Sequence, residues 1–596
     1  MNKIAFFDIE TNGIQDWTKL SDLTTVHCIA IYDGSKAVAY SGDSVPLGLE
    51  YLKTFDAIVG HNAIGFDYPA LSLKYGFNHH TVYDTAVMAR CIYPDIRNDD
   101  FKRVNFPKNL CGSHSLEAWG KRIGVLKDDH GKTEDWSTLT PEMIEYCKQD
   151  TVVTYALYSK LLSTNPSATM LNLEMQFAKL MRRQEYNGFP FDVKAAEGLT
   201  KELMVRRSDI AEELKNEFPP TVVETKSFWW VAPDGTTAKT KKALIEKKWM
   251  PSEITKGPKR TKEIPFNPNS RDQICERLMA KGWKPEAYEG KRPAINEAVL
   301  KKIGTPEALK LLEYLLISKR LGQIAEGNQA WLKLVRDGRI HGRVNTNGAV
   351  SGRCTHNNPN VAQVPAGRAP YGEQCRSCFT APEGKVLVGA DASGLELRCL
   401  AHYLWAWDDG AYAKEILDGD IHTANQNAAG LETRDQAKTF IYAFLYGAGD
   451  AKIGSIVGGT SKDGKRLKES FMRKIPAIRH LTDAVAAKVT KENQLFGLDG
   501  RVLPCRSPHS ALNLLLQSAG AVVMKQALVE FVRAARHPYE LHGNIHDEVQ
   551  FSCLPEHAES LGNTFVNSLK TAGKELNFLC PLDGEFSIGN NWSQTH

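Results

Sequence analysis

The 596-residue sequence has no unbroken apolar run near the roughly 18 residues that a membrane span requires. It lacks a paired cysteine framework too. Twelve cysteines are scattered along the chain, and the only close pair is Cys375 and Cys378. That distribution suits structural thiols in a reducing compartment, and one C-x-x-C without a second pair does not specify zinc. There is no internal repeat or low-complexity tract. Neither charge sign dominates, with 74 Lys and Arg against 70 Asp and Glu and a net charge of +4. Taken alone, the average points to no polyanionic partner. Asp8 comes too early for a signal-peptide core, so a cytosolic protein is expected.

What is present is the composition of a folded protein, 42% hydrophobic and 24% charged. At about 150 residues per domain the length predicts roughly four domains with sizeable cores. The first stretch alternates strand and helix signals. Ile4 to Ile9 and Cys28 to Tyr32 are short apolar β-type runs, and Leu139 to Leu162 has helical spacing. An α/β domain is expected there, ending in the polar linker Ser163 to Thr169. Residues 171 to 215 read as long helices broken at Asn187-Gly-Phe-Pro190. Lys239 to Lys262 then holds nine Lys and Arg against two Glu, a solvated loop or a polyanion contact on pattern alone.

Asp8 and Glu10 lie two apart on a predicted strand and therefore share a face. Asn62 and Asp67 follow the apolar Ala57-Ile-Val59, while Tyr146 and Asp150 are four apart on a predicted helix. Carboxylates meeting at one sheet edge repel unless cations lie between them. Oxygen-only ligands favour Mg²⁺, with Mn²⁺ as a substitute, two ions per site. The set Asp8, Glu10, Asp67 and Tyr146-x-x-x-Asp150 resembles the proofreading 3′→5′ exonucleases with an acidic tetrad and a tyrosine. The resemblance implies that the carboxylates hold the metals and that Tyr146 orients the attacking water.

A second constellation begins at Val386-Leu-Val-Gly-Ala-Asp391, a buried strand ending in a carboxylate, followed by an amphipathic helix from Ser393 to Leu404. Leu541 to Ser552 reads as two short strands around the acidic tip His546-Asp547-Glu548. Between them Arg434, Lys438, Tyr442 and Tyr446 recur every four residues and form one helical stripe. Arginine, lysine and an aromatic ring in register can hold a triphosphate and cover a base.

These segments, Asp391 to Arg398, the Arg434 stripe and His546-Asp-Glu548, resemble the three motifs of family A (DNA polymerase I-like) DNA polymerases, in order. Ser351-Gly-Arg353, Pro359-Asn360-Val-Ala-Gln363, Asp420-Ile-His422 and Gln517-Ser-Ala-Gly extend the resemblance. It covers essentially the whole chain and is nearest to the replicative enzymes of short-tailed bacteriophages. Asp391, Asp547 and the Ala392 carbonyl would hold two Mg²⁺, with Glu548 nearby. His422, Arg434 and Lys438 would neutralise the dNTP phosphates, Tyr442 would face its sugar and base, and Glu396 would exclude a ribose 2′-hydroxyl. Arg353, Asn360, Gln363, Gln517 and His546 would touch primer–template DNA.

The implied architecture is multidomain, α/β and α+β. A ribonuclease-H-like exonuclease (1–165) precedes a right-hand polymerase. Its mainly helical thumb spans 171–335 and includes the basic loop 221–265. The palm is 336–403 and 506–596, and the fingers are 404–505. No 5′-nuclease domain is expected ahead of the first strand. The 45 residues from 221 to 265 are short for the basic thumb insertion of thioredoxin-dependent phage enzymes, so thioredoxin dependence stays open and the cluster could clamp DNA itself. The implied setting is the cytoplasm of an infected bacterium, with a helicase-primase and a single-strand-binding protein as fork partners and no membrane. Two rivals remain at this level: a single-subunit RNA polymerase, against which Glu396 and the exonuclease tetrad argue, and a non-catalytic DNA-binding scaffold.

Overall fold

The computed structural model describes residues 3–13, 20–127 and 136–596. The chain forms two compact units, Met1–Asp192 with Leu334–His596, and Val193–Lys333.

The first unit opens with a five-stranded sheet. Its strand order is Ala37–Ser41, Val26–Tyr32, Ile4–Thr11, Ala57–Gly60, Val82–Asp84. Ile4–Thr11 pairs antiparallel with Val26–Tyr32 and parallel with Ala57–Gly60, as the alternation of strand and helix signals leads one to expect. The helix Pro141–Leu162 packs across the two strands Ile4–Thr11 and Val26–Tyr32. Its start is fixed locally: the Thr140 hydroxyl accepts from the Met143 N–H, and Pro141 occupies the first turn, where no N–H partner is needed.

The polar linker is shorter than its composition suggests, because a helix already begins at Ala168 and runs to Asn187. That helix is apolar on two sides. Met170, Leu171, Met175 and Ala178 enter the core under the first sheet, whereas Leu173, Phe177 and Met181 enter the larger core of the C-terminal half. Burial on both sides makes it part of the first unit, and the compact second unit starts at Val193.

A second sheet has the order Glu540–Ile545, Glu548–Cys553, Val386–Ala392, Gly584–Gly589, with every neighbouring pair antiparallel. The long helix Ala511–Ala534 packs beside the helix Ala558–Glu575, which itself lies against this sheet. Pro508–Ala534 is long and apolar enough on average to cross a bilayer, which a search for unbroken runs does not register because Asn513, Gln517 and Lys525 interrupt it. Most of it is buried inside the protein, as befits a core helix.

Lys525 on that helix is buried and donates to Glu174 Oε1 at 2.7 Å and to the Thr346 carbonyl at 2.8 Å. Arg501 reaches the same Glu174 oxygen at 2.5 Å and Asp499 Oδ2 at 2.6 Å, and Asn347 donates to the other Glu174 oxygen at 2.8 Å. Burial alone would raise the Glu174 carboxyl, yet Lys525 and Arg501 hold it below its ordinary value. A Cβ on Gly352 would fall 1.9 Å from Arg501 Nη1, so only glycine, here at φ +79°, fits beside the guanidinium. The network thereby anchors the turn that carries Arg353. Arg501→Met should destabilise the first unit by about 3–5 kcal/mol, because buried Asp499 would lose the guanidinium that pairs it and Glu174 would keep Lys525 as its only cation. Urea unfolding checks this; a midpoint equal to that of the parent would contradict it.

In the second unit the helices Val193–Glu217 and Pro306–Leu321 pack together. The segment 221–265, expected as a basic loop, is instead an antiparallel ribbon of Thr221–Val231 with Thr255–Ile264, edged by Thr237–Ala238. Its β-branched and aromatic residues, Val222-Val223 and Phe228-Trp-Trp-Val231, favour a pleated surface, and the dense lysines hide that signal in the sequence.

Candidate active sites

Asp8 and Glu10 project from one face of Ile4–Thr11. Asp67 opens the helix Asp67–Tyr75, and its Oδ1 accepts from the Ile9 N–H at 3.2 Å, which ties that helix to the strand. Asp84 accepts from the N–H groups of Asn62 and Ile64 at 2.9 and 3.0 Å and so shapes the loop before Asp67, with Asn62 in the left-handed region at φ 59°. Tyr146 and Asp150, one turn apart on Pro141–Leu162, are buried against this sheet.

The five predicted residues thus converge. Two unpredicted ones join them. The Cys147 thiol donates to the Asp8 carbonyl at 3.3 Å, and ligand atoms of Asp8, Glu10 and Cys147 lie within 4.8 Å of one another. Burial pushes that thiol well above its ordinary pKa, so it stays protonated and leaves the oxygens as donors. Lys127 Nζ lies 2.5 Å from Asp150 Oδ2 and 4.7 Å from the centre of the Tyr146 ring.

Burial and mutual repulsion dominate the electrostatics. Asp8 is raised well above the carboxylate range by burial, then by Asp67, Asp150 and Glu10. Burial first, then Cys28 and Asp150, raises Glu10 to about 9; burial also raises Asp67 to about 7. Added positive charge favours the ionised form of such a cluster, and its oxygen donors fit a hard divalent cation.

The second centre lies on the C-terminal sheet. Asp391 stands in register with Glu548 on one side and Glu585 on the other, and the Ala392 N–H donates to the Asp547 carbonyl at 3.1 Å. His546 is left-handed at φ 61°, which turns the tip between the two strands and leaves Asp547 beside Asp391. Asp391 Oδ1 is buried and accepts no hydrogen bond among the described residues. Burial, then Asp547, Glu548 and Glu585, pushes Asp391 up to about 8. Asp547 is also raised, by burial and then by Glu396. An orphaned oxygen among repelling carboxylates again fits a divalent cation.

Glu548 differs from its neighbours. Trp592 Nε1 and Gln550 Nε2 donate to one oxygen, the latter at 2.7 Å, while His596 Nε2 and Arg376 Nη1 stand 3.4 and 3.9 Å from the other. The protein supplies Glu548 with its own donors, so it braces Asp391 in the sheet. None of these four partners carries a local sequence signal.

Glu396 takes the Tyr446 hydroxyl at 3.1 Å, and Arg353 Nη2 lies 3.9 Å away. Arg353, Leu395, Glu396, Gly520, His546 and Asp547 line one cavity. Tyr442 is pushed up to about 12 by burial, then by Glu396, Tyr446, Asp547 and Asp391, so it stands among all of them. The predicted stripe is the helix Arg434–Leu445, capped reciprocally by Thr433 and Gln436, with Arg434 and Lys438 exposed. Asp420 accepts from Arg434 Nε at 2.8 Å and Nη2 at 3.2 Å, and also from the His422 N–H at 3.0 Å. Burial, then Arg434 and Lys438, lowers His422, which gathers the three nitrogen-bearing residues.

Gln517 lies one turn before Gly520 on Ala511–Ala534 and donates to Asn513 at 2.8 Å. Asn360 precedes and Gln363 ends the short helix Val361–Gln363, which touches the strand Glu540–Ile545 leading to His546.

The pKa directions set a pH dependence. In cation-free protein Glu10 and Asp391 keep protons that the unfolded chain releases near pH 4, so the folded state binds more protons between about pH 4 and 9. Stability without metal should therefore fall as pH rises through that window. Melting with EDTA and with Mg²⁺ at pH 6 and 8.5 should give a larger Mg²⁺-induced Tm increase at the higher pH; an equal or smaller increase there would contradict the reading.

The family model for DNA polymerase family A matches residues 241–594. The chain is 38% identical to the DNA-directed DNA polymerase of Escherichia phage T7 and 37% identical to that of Enterobacteria phage T3. Each alignment covers 99% of this chain and 99% of the relative. They run over 715 and 716 positions against 596 residues here, so both relatives carry segments that this chain lacks. Among solved structures, the POL domain of Pol1 from M. smegmatis, in complex with DNA primer-template and dNTP, shares the fold. Its TM-score is 0.75 at 17% identity, over 99% of this chain and 96% of that one. The chain belongs to family A of the DNA polymerases. It is a DNA-directed DNA polymerase similar over its full length to those of phages T7 and T3.

Proposed function

We propose that this polymerase replicates phage DNA and proofreads it, with two separate metal-dependent centres on one chain. The observation that carries this reading is the pair of distinct carboxylate clusters, Asp8/Glu10/Asp67/Asp150 and Asp391/Asp547, in which burial and mutual repulsion raise Asp8, Glu10, Asp67, Asp391 and Asp547. In this reading the first sheet and its helices are a ribonuclease-H-like 3′→5′ exonuclease. The C-terminal sheet is the palm, residues 404–505 the fingers and Val193–Lys333 the core of the thumb. Full-length phage relatives support the cytoplasm of an infected bacterium as the setting, and the DNA and dNTP held by the M. smegmatis neighbour support those two ligands here.

Mg²⁺, or Mn²⁺ in its place, would be held by Asp391, Asp547 and the Ala392 carbonyl at one centre and by Asp8, Glu10, Asp67 and Asp150 at the other. When bound, the cation supplies Lewis-acid polarisation of the phosphoryl group and acidifies the attacking hydroxyl or water. The remaining work falls to the chain. Arg434, Lys438 and His422 face the triphosphate, with Asp420 setting the direction of the Arg434 fork until phosphate competes for it. Arg353 and the Tyr446 hydroxyl fix the Glu396 carboxylate where a ribose 2′-hydroxyl would have to enter. Arg353, Gln517 and His546 meet the minor groove of the new pair, where acceptors are alike for every correct pair, while Asn360 and Gln363 meet the strands beside it. Closure of the Arg434–Leu445 helix on a correct pair couples pair shape to chemistry. At the other centre Tyr146 orients the water that attacks the terminal phosphodiester.

Primer extension with deoxynucleotides against ribonucleotides tests the assignment. Deoxynucleotides should be strongly preferred, and Glu396→Ala should narrow that preference by about 10- to 100-fold, a loss of ~1.4–3 kcal/mol of discrimination. A parent enzyme that prefers ribonucleotides would sink the reading.

A further inference from the structure

The end of the helix Pro141–Leu162 carries Tyr155, Tyr158, Ser159 and Leu162, spaced i, i+3, i+4 and i+7 and therefore on one face. Tyr158 is buried, but Tyr155 is 37% exposed and Leu162 42%. This face fronts the beginning of the strand Ile4–Thr11. Phe6 on that strand meets Tyr155 at 5.1 Å and Tyr158 at 5.4 Å between ring centres, both edge to face. A second aromatic pair, Tyr51 and Phe55 at 5.1 Å, comes from the helix Val45–Lys53 and the turn after it. These five rings line one cavity of about 560 Å³, with Ile4 among its inner residues and Asp33 and Lys3 among its polar ones. That volume lies within the range of ligand pockets, ~300–1,000 Å³.

Asp33 turns the hairpin between Val26–Tyr32 and Ala37–Ser41. Its Oδ1 accepts from the Ser35 N–H at 2.9 Å, the Ser35 hydroxyl at 2.7 Å and the Lys36 N–H at 3.0 Å. The Lys36 N–H foremost, joined by the Ser35 donors, holds the carboxyl at about 2, so it is ionised at neutral pH. Its other oxygen, Oδ2, takes one long bond, from the Tyr51 hydroxyl at 3.5 Å. The ring faces are available as well. Elsewhere in this unit the chain covers rings with its own cations, Lys127 over Tyr146, Lys179 over Tyr68 and Arg182 over Tyr186. Among the described residues no Lys or Arg lies over Phe6, Tyr51, Phe55, Tyr155 or Tyr158. Lys3, the one cation in the lining, is exposed.

We propose that this pocket is a docking site for an arginine side chain of another protein, with the guanidinium against the aromatic rings and Asp33 Oδ2. The chemistry selects the occupant. Ring faces attract a cation, more strongly where water is excluded. A guanidinium is planar and weakly hydrated and stacks on rings, which an ammonium does less well. The ionised carboxylate repels phosphate and so disfavours a nucleotide. Residues flanking the arginine would cover Tyr155 and Leu162, which a free amine cannot do. The site stands apart from the Asp8 centre: four residues of strand, roughly 13 Å, separate Ile4 from Asp8. A partner held here leaves that carboxylate cluster open. The inference adds an interaction surface to the polymerase and is independent of how its two centres work.

Full-length protein with isotope-labelled isoleucine and leucine methyl groups, titrated with the peptide acetyl-Gly-Leu-Arg-Leu-Gly-amide, tests this by NMR. Ile4 and Leu162 report from the pocket itself, so cation binding at the acidic clusters is read apart. Both signals should shift saturably. The citrulline peptide, which keeps the shape and loses the charge, should bind at least ~10-fold more weakly, and the arginine peptide should lose as much on Asp33→Asn and on Tyr155→Leu. Asparagine at 33 still accepts from Ser35 and Lys36, so the hairpin is kept, and parental primer extension and single-strand degradation check the fold of both variants. Lys3→Met removes a competing charge and should bind the arginine peptide at least as tightly as the parent. No saturable shift of either methyl group at about 10 mM peptide would overturn the proposal. So would equal binding of the citrulline peptide, unchanged affinity in both pocket variants, or weaker binding to Lys3→Met. Spermidine shifting the same methyl groups with the affinity of the peptide would overturn it too, by making the pocket a site for free polyamines.

Discussion

Asp391→Ala is expected to reduce primer extension at least ~1,000-fold, about 4 kcal/mol of transition-state stabilisation, while degradation of single-stranded DNA stays within about twofold of the parent. The expectation follows from where Asp391 sits. Its buried Oδ1 has no donor among the described residues, and the one bond that stabilises the ionised carboxylate comes from the Ala392 backbone. It faces Asp547, Glu548 and Glu585, all of which raise its pKa. Removing it relieves burial and repulsion that outweigh the single Ala392 bond, so the cation-free variant should melt at or above the parent temperature. That combination, lost activity with retained or improved stability, marks a group held for function. Asp391→Asn should behave alike in extension, since it keeps shape but not charge. Loss of both activities in a well-folded Asp391→Ala protein would contradict two independent centres.

Much of both centres is legible because their signals are local. Asp8 and Glu10 two apart on a strand, Tyr146 and Asp150 four apart on a helix, and the Arg434 stripe each declare a shared face through the period of one element. The convergence of Asp391 with Asp547 is legible only through the resemblance, since no periodicity links them. Other features depend on register or chain path. Glu585 meets Asp391 through the pairing of Gly584–Gly589 with Val386–Ala392, and nothing near Glu585 announces that strand partner. Lys127 reaches Asp150 from a non-helical stretch after the helix Leu116–Ile123. The Ala168–Asn187 helix hides its double burial because apolar residues serving two cores look irregular in one helical period. The ribbon was obscured for a chemical reason: lysine-rich strands score as loop, although their aromatic and β-branched partners supply the pleated surface. Net charge misled in the same way, since an average of +4 conceals a segment of +5.

Asp8→Ala should produce the mirror image of Asp391→Ala: exonuclease activity lowered at least ~1,000-fold and single-turnover extension of a matched primer unchanged within about twofold. Asp8 lies beside Glu10, and Asp67 and Asp150 raise its pKa further, so the cluster loses one of four oxygen-bearing side chains that a cation would need. Lys127 sharpens the test. It is already bound to Asp150, and its positive charge lowers the cost of the carboxylates when no divalent cation is present. With Asp8 gone, Lys127 balances a smaller negative cluster, so the variant should fold normally and respond less to Mg²⁺ in melting experiments. The Asp391 cluster is separate from Lys127 and should keep its own Mg²⁺ response. Extension opposite a mismatched primer end then isolates proofreading. The parent should trim the mismatch before extending, whereas Asp8→Ala should stall or extend it untrimmed. Trimming by Asp8→Ala at the parent rate would remove Asp8 from the nuclease centre, and a Mg²⁺ response abolished for the whole chain would mean that the two carboxylate clusters do not act independently.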